Sequence, residues 1–251
     1  MRQRVALVTG GSRGIGAAAA TRLAADGYAV AVAFSSAEER ASDVVQKIRA
    51  DGGVAEMFQA DVSTPQVAAE LPCRVTEALG PPLVVVNNAG VQRSKSMRRL
   101  SDEDWERMWR TNVQGAWSVT RAALPAMYEE GWGRVVFVSS TLGATGGPGD
   151  TAYSSTKAAL LGMSKSLALE TARRGITSNA VLPGTIETDL VSQVAPEVLR
   201  MNIAMSAPGR PGRPDEVAAA IAFLCSSDAS YVSGAEISVH GGGWLTLPPS
   251  T

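Results

Sequence analysis

The chain has 251 residues, 45% hydrophobic and 19% charged, with 23 basic side chains against 24 acidic ones. That length and balance suit a sizeable globular core and carry no electrostatic footprint for nucleic acid or an anionic membrane. The single histidine, His240, excludes a multi-histidine zinc site, no metal site is expected, and a Ser-His-Asp hydrolase would have to use a residue in a Gly-rich segment near the C-terminus.

The sequence passes from Met1-Arg2-Gln3-Arg4 straight into an apolar run, Val5–Thr9, with no signal-peptide pattern. No apolar run approaches the roughly 18 residues of a membrane span, so a cytoplasmic protein is expected. Helical period then covers Gly14–Asp26, followed by a strand at Tyr28–Phe34, a helix at Ala37–Asp51 and a strand at Ala55–Gln59. The alternation continues with a helix at Pro65–Leu79, a strand at Leu83–Asn87, a long helix at Asp102–Met127 and a strand at Arg134–Ser139. A helix at Tyr153–Arg174, a strand at Thr177–Leu182, a helix at Asp215–Leu224 and a strand at Glu236–Val239 complete it. Most strands are apolar on both faces, as strands covered by helices on both sides must be. Ser101 three residues before Asp104 reads as a helix start, as does Pro214-Asp215-Glu216.

This order predicts an α/β protein: one Rossmann-type, doubly wound domain over residues 1–251, with a seven-stranded parallel sheet flanked by helices. The least regular stretch is Gly184–Arg213, bracketed by Pro183 and Pro214 and holding Pro196, Pro208 and Pro211. It follows a strand at the edge where open α/β sheets bind ligands, so it reads as a substrate lid with a short helix inside. Cys73 and Cys225 have no metal-ligand spacing and read as free thiols.

The first strand runs into Thr9-Gly10-Gly11-Ser12-Arg13-Gly14-Ile15-Gly16, then an Ala-rich helix. Glycines there let the backbone approach a pyrophosphate, and the helix N-terminus supplies N–H groups and positive potential. Gly10, Ser12, Gly14, Ile15 and Gly16 are the candidate phosphate-binding residues. NAD-type sites place an acid at the end of the second strand, to bond the ribose 2′-OH. Here that end reads Phe34-Ser35-Ser36, and Arg13 lies inside the loop. An arginine with two hydroxyls suits a 2′-phosphate, so the cofactor expected is NADP(H). Asp61-Val62 after the third strand and Asn88-Ala89-Gly90 after the fourth would line the same crevice; alone, the first also reads as a helix cap and the second as a turn.

These motifs, in this order, resemble the short-chain dehydrogenase/reductase family over essentially the whole chain. The carriers are Thr9–Gly16, Asp61-Val62, Asn87-Asn88-Ala89-Gly90, Asn112, Ser140, Tyr153-Ser154-Ser155-Thr156-Lys157 and Pro183-Gly184. Within the family the chain is most similar to the 3-oxoacyl-acyl-carrier-protein reductases. The resemblance implies a homotetramer, a place in fatty-acid biosynthesis, and a catalytic set of Asn112, Ser140, Tyr153 and Lys157. It also implies that Lys157 and Tyr153 touch the nicotinamide ribose, that Asn112 maintains a water relay, and that Pro183, Gly184, Ile186 and Thr188 seat the carboxamide end. The tetramer it implies uses the two long helices for one interface and the tail near Trp244 for another.

The residues give the same chemistry independently. Tyr153 and Lys157 are four apart and share a helix face. An ammonium near a phenol favours phenolate, so Tyr153 is expected to titrate below its usual value and act as general acid or base. Ser140 ends a strand and can bond a substrate carbonyl; a second serine, Ser139, precedes it, and the family interval to the tyrosine selects Ser140.

Two departures from the family pattern bear on the substrate. Pro81-Pro82-Leu83-Val84 lacks the acid common before the Asn-Asn-Ala-Gly motif. Of two arginines associated with docking acyl carrier protein, one aligns with Arg174, but the other falls at Gly131, after Glu129-Glu130. Two glutamates there should weaken an acidic carrier's docking. The expected function is NADPH-dependent reduction of a ketone, with a 3-oxoacyl thioester as substrate. The alternatives are an oxidoreductase of a free small ketone or alcohol and a catalytically silent NADP-binding regulator.

Overall fold

The computed structural model describes residues 3–189 and 196–243, without the side chains of Pro196 and Val198. The strands are β1 (Val5–Thr9), β2 (Ala29–Phe34), β3 (Val54–Gln59), β4 (Pro82–Asn87), β5 (Gly133–Val138), β6 (Ile176–Pro183) and β7 (Glu236–Val239). They form one seven-stranded sheet in the order β3-β2-β1-β4-β5-β6-β7. Every pairing is parallel. The order reverses between β1 and β4, which opens a crevice beyond their carboxyl ends.

The helices are α1 (Gly14–Ala25), α2 (Glu38–Ala50), α3 (Pro65–Ala78), α4 (Asp102–Trp109), α5 (Gly115–Glu130), α6 (Thr141–Thr145), α7 (Thr151–Thr171), α8 (Pro196–Ala204) and α9 (Pro214–Cys225). Period-two alternation along the strands divides the core into two layers. Ala6, Val8, Val30 and Val32 pack with Leu23, Ile48 and Ile221 under α1, α2 and α9. Val5, Leu7, Val85 and Val135 face the other way, onto Leu71, Val119 and Leu160 of α3, α5 and α7. Edge strands β3 and β7 are partly exposed, so neither has the fully apolar environment of β1, β2, β4, β5 and β6.

Two local expectations need correction, and one helix is added to them. The stretch Asp102–Met127 is not one α-helix: residues Arg110–Gln114 form a π-helical turn, after which α5 continues to Glu130. The tyrosine helix starts at Thr151, before Tyr153. A short helix, α6, follows Ser140, whose side-chain oxygen accepts from Leu142 N at 3.2 Å. At α4, Ser101 accepts from Asp104 N at 3.2 Å, while the Asp104 carboxylate binds Lys95 at 2.7 Å.

A buried arginine ties the far end of the sheet together. Arg134, 2% exposed, donates to the carbonyls of Ser226, Gly133 and Gly175 and stacks on Trp132. Both cysteines are free thiols, Cys73 exposed and Cys225 buried. No helix among the described residues is long and apolar enough to cross a membrane. Likewise, no group of three or more His, Cys, Asp or Glu residues among them could hold a metal ion.

Candidate active site

The glycine loop sits at the end of β1, in the crevice. Gly10 and Gly14 have φ of 62° and 54°, and Arg13 enters α1 from extended backbone. No side chain caps the first turn of α1, which leaves its N–H groups for an anion. A Cβ on Gly16 would lie 2.2 Å from Gly10 O, so the loop closes only over glycine. Ser12 is buried and Ile15 half-buried against the first core layer.

The end of β4 locks this loop in shape. Asn88 donates from Nδ2 to Thr9 O and Gly10 O, both at 3.0 Å. Thr9 Oγ1 accepts from Asn88 N at 3.0 Å and Ala89 N at 3.1 Å. Asn88 therefore acts through the loop's backbone. Asp61 makes a local turn, accepting from Ser63 N at 3.0 Å, and Val62 is buried against Gly115.

The residues expected to be catalytic gather at the ends of β4 and β5. Lys157 Nζ donates to Val138 O at 2.8 Å and lies 5.6 Å from the centroid of the Tyr153 ring. A Cβ on Gly90 would stand 3.4 Å from both Lys157 Nζ and Asn112 Oδ1, so these three residues meet. Asn112 lies in the π-helical turn, a feature frequent at functional sites. Its amide is fully engaged: Oδ1 accepts from Val91 N at 2.8 Å, and Nδ2 donates to Val91 O and Thr156 Oγ1.

The two serines take different work. Ser139 Oγ donates to the Lys157 carbonyl at 2.8 Å and is buried, while Ser140 is hydrogen-bonded to Tyr153. On the far side of Tyr153, Asp150 binds Gln92 Nε2 and Ser94 Oγ, fixing the Val91–Leu100 segment beside the tyrosine.

The electrostatics run against the sequence expectation for the phenol. Burial pushes Tyr153 up to about 12; the Ser140 hydrogen bond pulls against this and the Asp150 charge adds to it. Burial also brings Lys157 down to about 8. Desolvation of both groups outweighs the attraction that the spacing implied. Tyr153 is thus held protonated at neutral pH, the state a proton donor requires.

The segment after β6 crosses the glycine loop. Pro183 ends β6, and Gly184 is pressed on His240, where a Cβ would meet His240 Cβ at 2.8 Å. Ile186 is buried and bridges Gly212. Gly212 N donates to Thr185 O and Glu187 N to Gly212 O, which stitches together both roots of the expected lid. Glu216 fastens the second root, binding Arg210 and the Arg213 N–H, and its carboxyl is held down to about 2 chiefly by Arg210. Inside the lid, α8 supplies the short helix; residues 190–195 lie outside the described residues, as does Trp244. Thr188 stands over the glycine loop, 3.0 Å from where a Gly14 Cβ would be.

A family model described as short chain dehydrogenase matches residues 4–198. The chain belongs to the short-chain dehydrogenase family. An acetoacetyl-CoA reductase of Rhizobium meliloti (strain 1021) is 42% identical over 240 residues, covering 95% of this chain and 98% of the relative. A 3-oxoacyl-acyl-carrier-protein reductase FabG of Staphylococcus aureus (strain Mu50) is 37% identical over 96% of this chain and 98% of its own. Among solved structures, a blue fluorescent protein from a metagenomic library, in complex with NADPH, superposes with a TM-score of 0.90. It is 37% identical and covers 96% of this chain and 98% of that one.

One residue of this short-chain dehydrogenase's crevice escaped the sequence reading. Arg40, in the first turn of α2, reaches the same carboxylate as Arg13, that of Asp189. Helical side chains lean toward the helix N-terminus, so a basic residue in the turn after Ser35-Ser36 was the available signal. Both serines are exposed beyond β2, beside that turn. The crevice fits a dinucleotide: an uncapped helix start, a loop that admits no Cβ at Gly16, and two convergent guanidiniums.

Proposed function

We propose that the chain is an NADPH-dependent ketoreductase acting on a 3-oxoacyl thioester, built as one domain over residues 1–251. The observation that carries this reading is the meeting of Tyr153, Ser140, Lys157 and Asn112 beyond β4 and β5, next to the glycine loop. The curated relatives named for acetoacetyl-CoA and 3-oxoacyl reduction support the substrate class.

In this reading Gly10–Gly16 and Ala89-Gly90 receive the phosphates and ribose, and Arg13, Ser35, Ser36 and Arg40 receive the 2′-phosphate. Asp61 and Val62 border the adenine, while Pro183, Gly184, Ile186 and Thr188 border the carboxamide. The bound nicotinamide supplies the hydride. Ser140 donates a hydrogen bond to the ketone oxygen and polarises the carbonyl carbon. As hydride reaches that carbon, the Tyr153 hydroxyl gives its proton to the same oxygen, leaving a secondary alcohol and a phenolate. The Lys157 ammonium stabilises that phenolate through space and would hold the nicotinamide ribose of the bound cofactor. Asn112 is a positioning residue: it pins Val91 and Thr156, and with them the floor below Lys157.

The free CoA thioester is the better-supported carrier. Gly131 closes α5 with φ 63°, and a Cβ on Gly175 would lie 2.3 Å from Gly131 O. An arginine at 131 would be strained there, so this basic docking position is replaced by backbone contact next to Glu129-Glu130. Turnover of acetoacetyl-CoA with NADPH tests the function; tight NADPH binding without turnover on any ketone would instead identify a silent regulator. A kcat/KM strongly favouring the carrier-protein thioester over the CoA thioester would reverse the carrier assignment.

We assign the chain to the cytoplasm, where NADPH is drawn for reductive synthesis, and to a homotetramer. Trp105 and Trp117 are exposed on α4 and α5 and line, with Trp109, Val113 and Met163, a groove of about 480 Å³. An apolar face of that kind suits a two-fold contact between copies, and sedimentation at micromolar concentration reads it out.

A further inference from the structure

At the carboxyl end of β2 the structure brings together three charged side chains from distant parts of the chain. Arg13 Nη1 donates to Asp189 Oδ2 at 3.4 Å, and Arg40 Nη1 donates to the same oxygen. Arg13 lies in the glycine loop just before α1, Arg40 lies in the first turn of α2, and Asp189 follows the segment that crosses Gly14. Two guanidiniums converge on one oxygen only when an anion neutralises them. The side chains are 60%, 55% and 47% exposed, so a ligand can reach all three. The arginines hold the Asp189 carboxyl below the usual carboxylate range, Arg40 foremost through its hydrogen bond, so it is charged at neutral pH.

We infer that Asp189 is a tethered anion that competes with the cofactor's 2′-phosphate for Arg13 and Arg40, and so sets the selectivity and release rate of the phosphorylated cofactor. This rests on the reading of Arg13 and Arg40 as the 2′-phosphate site. A phosphate monoester offers three acceptor oxygens and close to two charges, enough for both guanidinium forks at once. The carboxylate cannot stay beside it without like-charge repulsion. The phosphorylated cofactor must displace Asp189, and its apparent affinity falls by the fraction of time the arginines are held. NADH makes no such exchange. As the 2′-phosphate leaves, Asp189 recaptures the pair and prevents rebinding.

The test uses 2′,5′-ADP and ADP, which differ by the 2′-phosphate and need no turnover, titrated calorimetrically at fixed low salt. Asp189→Asn should bind 2′,5′-ADP about three- to tenfold more tightly than the wild type and ADP equally, the range expected for exposed ion pairs. NADPH dissociation followed by stopped-flow fluorescence should slow by a similar factor. Unchanged or weaker 2′,5′-ADP binding in the variant overturns the inference. Arg13→Ala and Arg40→Ala run in parallel separate it from its premise. If each weakens 2′,5′-ADP and spares ADP while Asp189→Asn fails to tighten, only the competition is wrong. If neither weakens 2′,5′-ADP, the 2′-phosphate site itself is misplaced and the competition falls with it.

Discussion

Ser139 holds the backbone of the very lysine that its neighbour's partner needs: its hydroxyl donates to the Lys157 carbonyl at 2.8 Å, while Ser140 binds Tyr153. Adjacent hydroxyls thus engage different partners. In the proposed mechanism the transferred proton comes from the phenol. Tyr153→Phe should lower kcat by about 10²- to 10⁴-fold, the usual worth of a positioned general acid. NADPH affinity should change little, and single-turnover rates with fluorescence titration check both halves.

The buried pair also sets a pH dependence. The proposed mechanism of reduction needs Tyr153 protonated and Lys157 charged. Tyr153, pushed up to about 12, keeps its proton throughout the working range; Lys157, brought down to about 8, loses its charge first. The rate of reduction should therefore be flat toward neutral pH and fall through a limb near 8, by about tenfold per pH unit beyond it. A profile with its first alkaline limb above 10 would remove Lys157 from this role.

Gly16 offers a steric test of the cofactor loop. Its missing Cβ would stand 2.2 Å from Gly10 O and 2.5 Å from Asn88 Nδ2. Gly16→Ala must push the loop off Asn88, at a cost of about 1–3 kcal/mol in stability, as overpacking of a close contact typically gives. Weaker binding of NADPH and NADH alike should accompany a lower Tm. Equal Tm and affinity would show that the loop relaxes freely.

Arg134 tests the opposite end of the sheet. Arg134→Met keeps much of the volume but leaves the carbonyls of Ser226 and Gly175 without this donor. The buried carbonyl of Gly133 loses the donor as well, and an unsatisfied buried acceptor costs about 1–3 kcal/mol, so urea denaturation should show a loss of that order while kcat stays near wild type.

The fold was legible because strand and helix patterns alternate along the chain: the runs at Val5–Thr9 and Glu236–Val239 have the same limits in the sequence and in the sheet. The candidate site was legible where chemistry follows local spacing, as with Tyr153 and Lys157. What resisted reading was non-local. The phenol's raised value comes from burial that spacing does not encode. Asp189 reaches the end of β2 from a segment 149 positions beyond Arg40, so no local pattern around Phe34-Ser35-Ser36 points to it. The π-helical turn at Asn112 has no signature residue; it leaves the run Asp102–Met127 looking uniformly helical.

That turn has a consequence for how the helix can vary. A π turn carries about one residue more than the α turn it replaces, so it shifts the phase of everything after it. Upstream, Met108 points into the cluster that holds Tyr153; downstream, Ala116, Val119 and Ala123 point onto the sheet. A straight helix would rotate one set by about 100° relative to the other, from 3.6 residues per turn. Deleting one residue within α5 should therefore be far more damaging than deleting one from Arg110–Gln114, because the second turns the π turn back into an α turn and leaves Met108 and Val119 on their present faces.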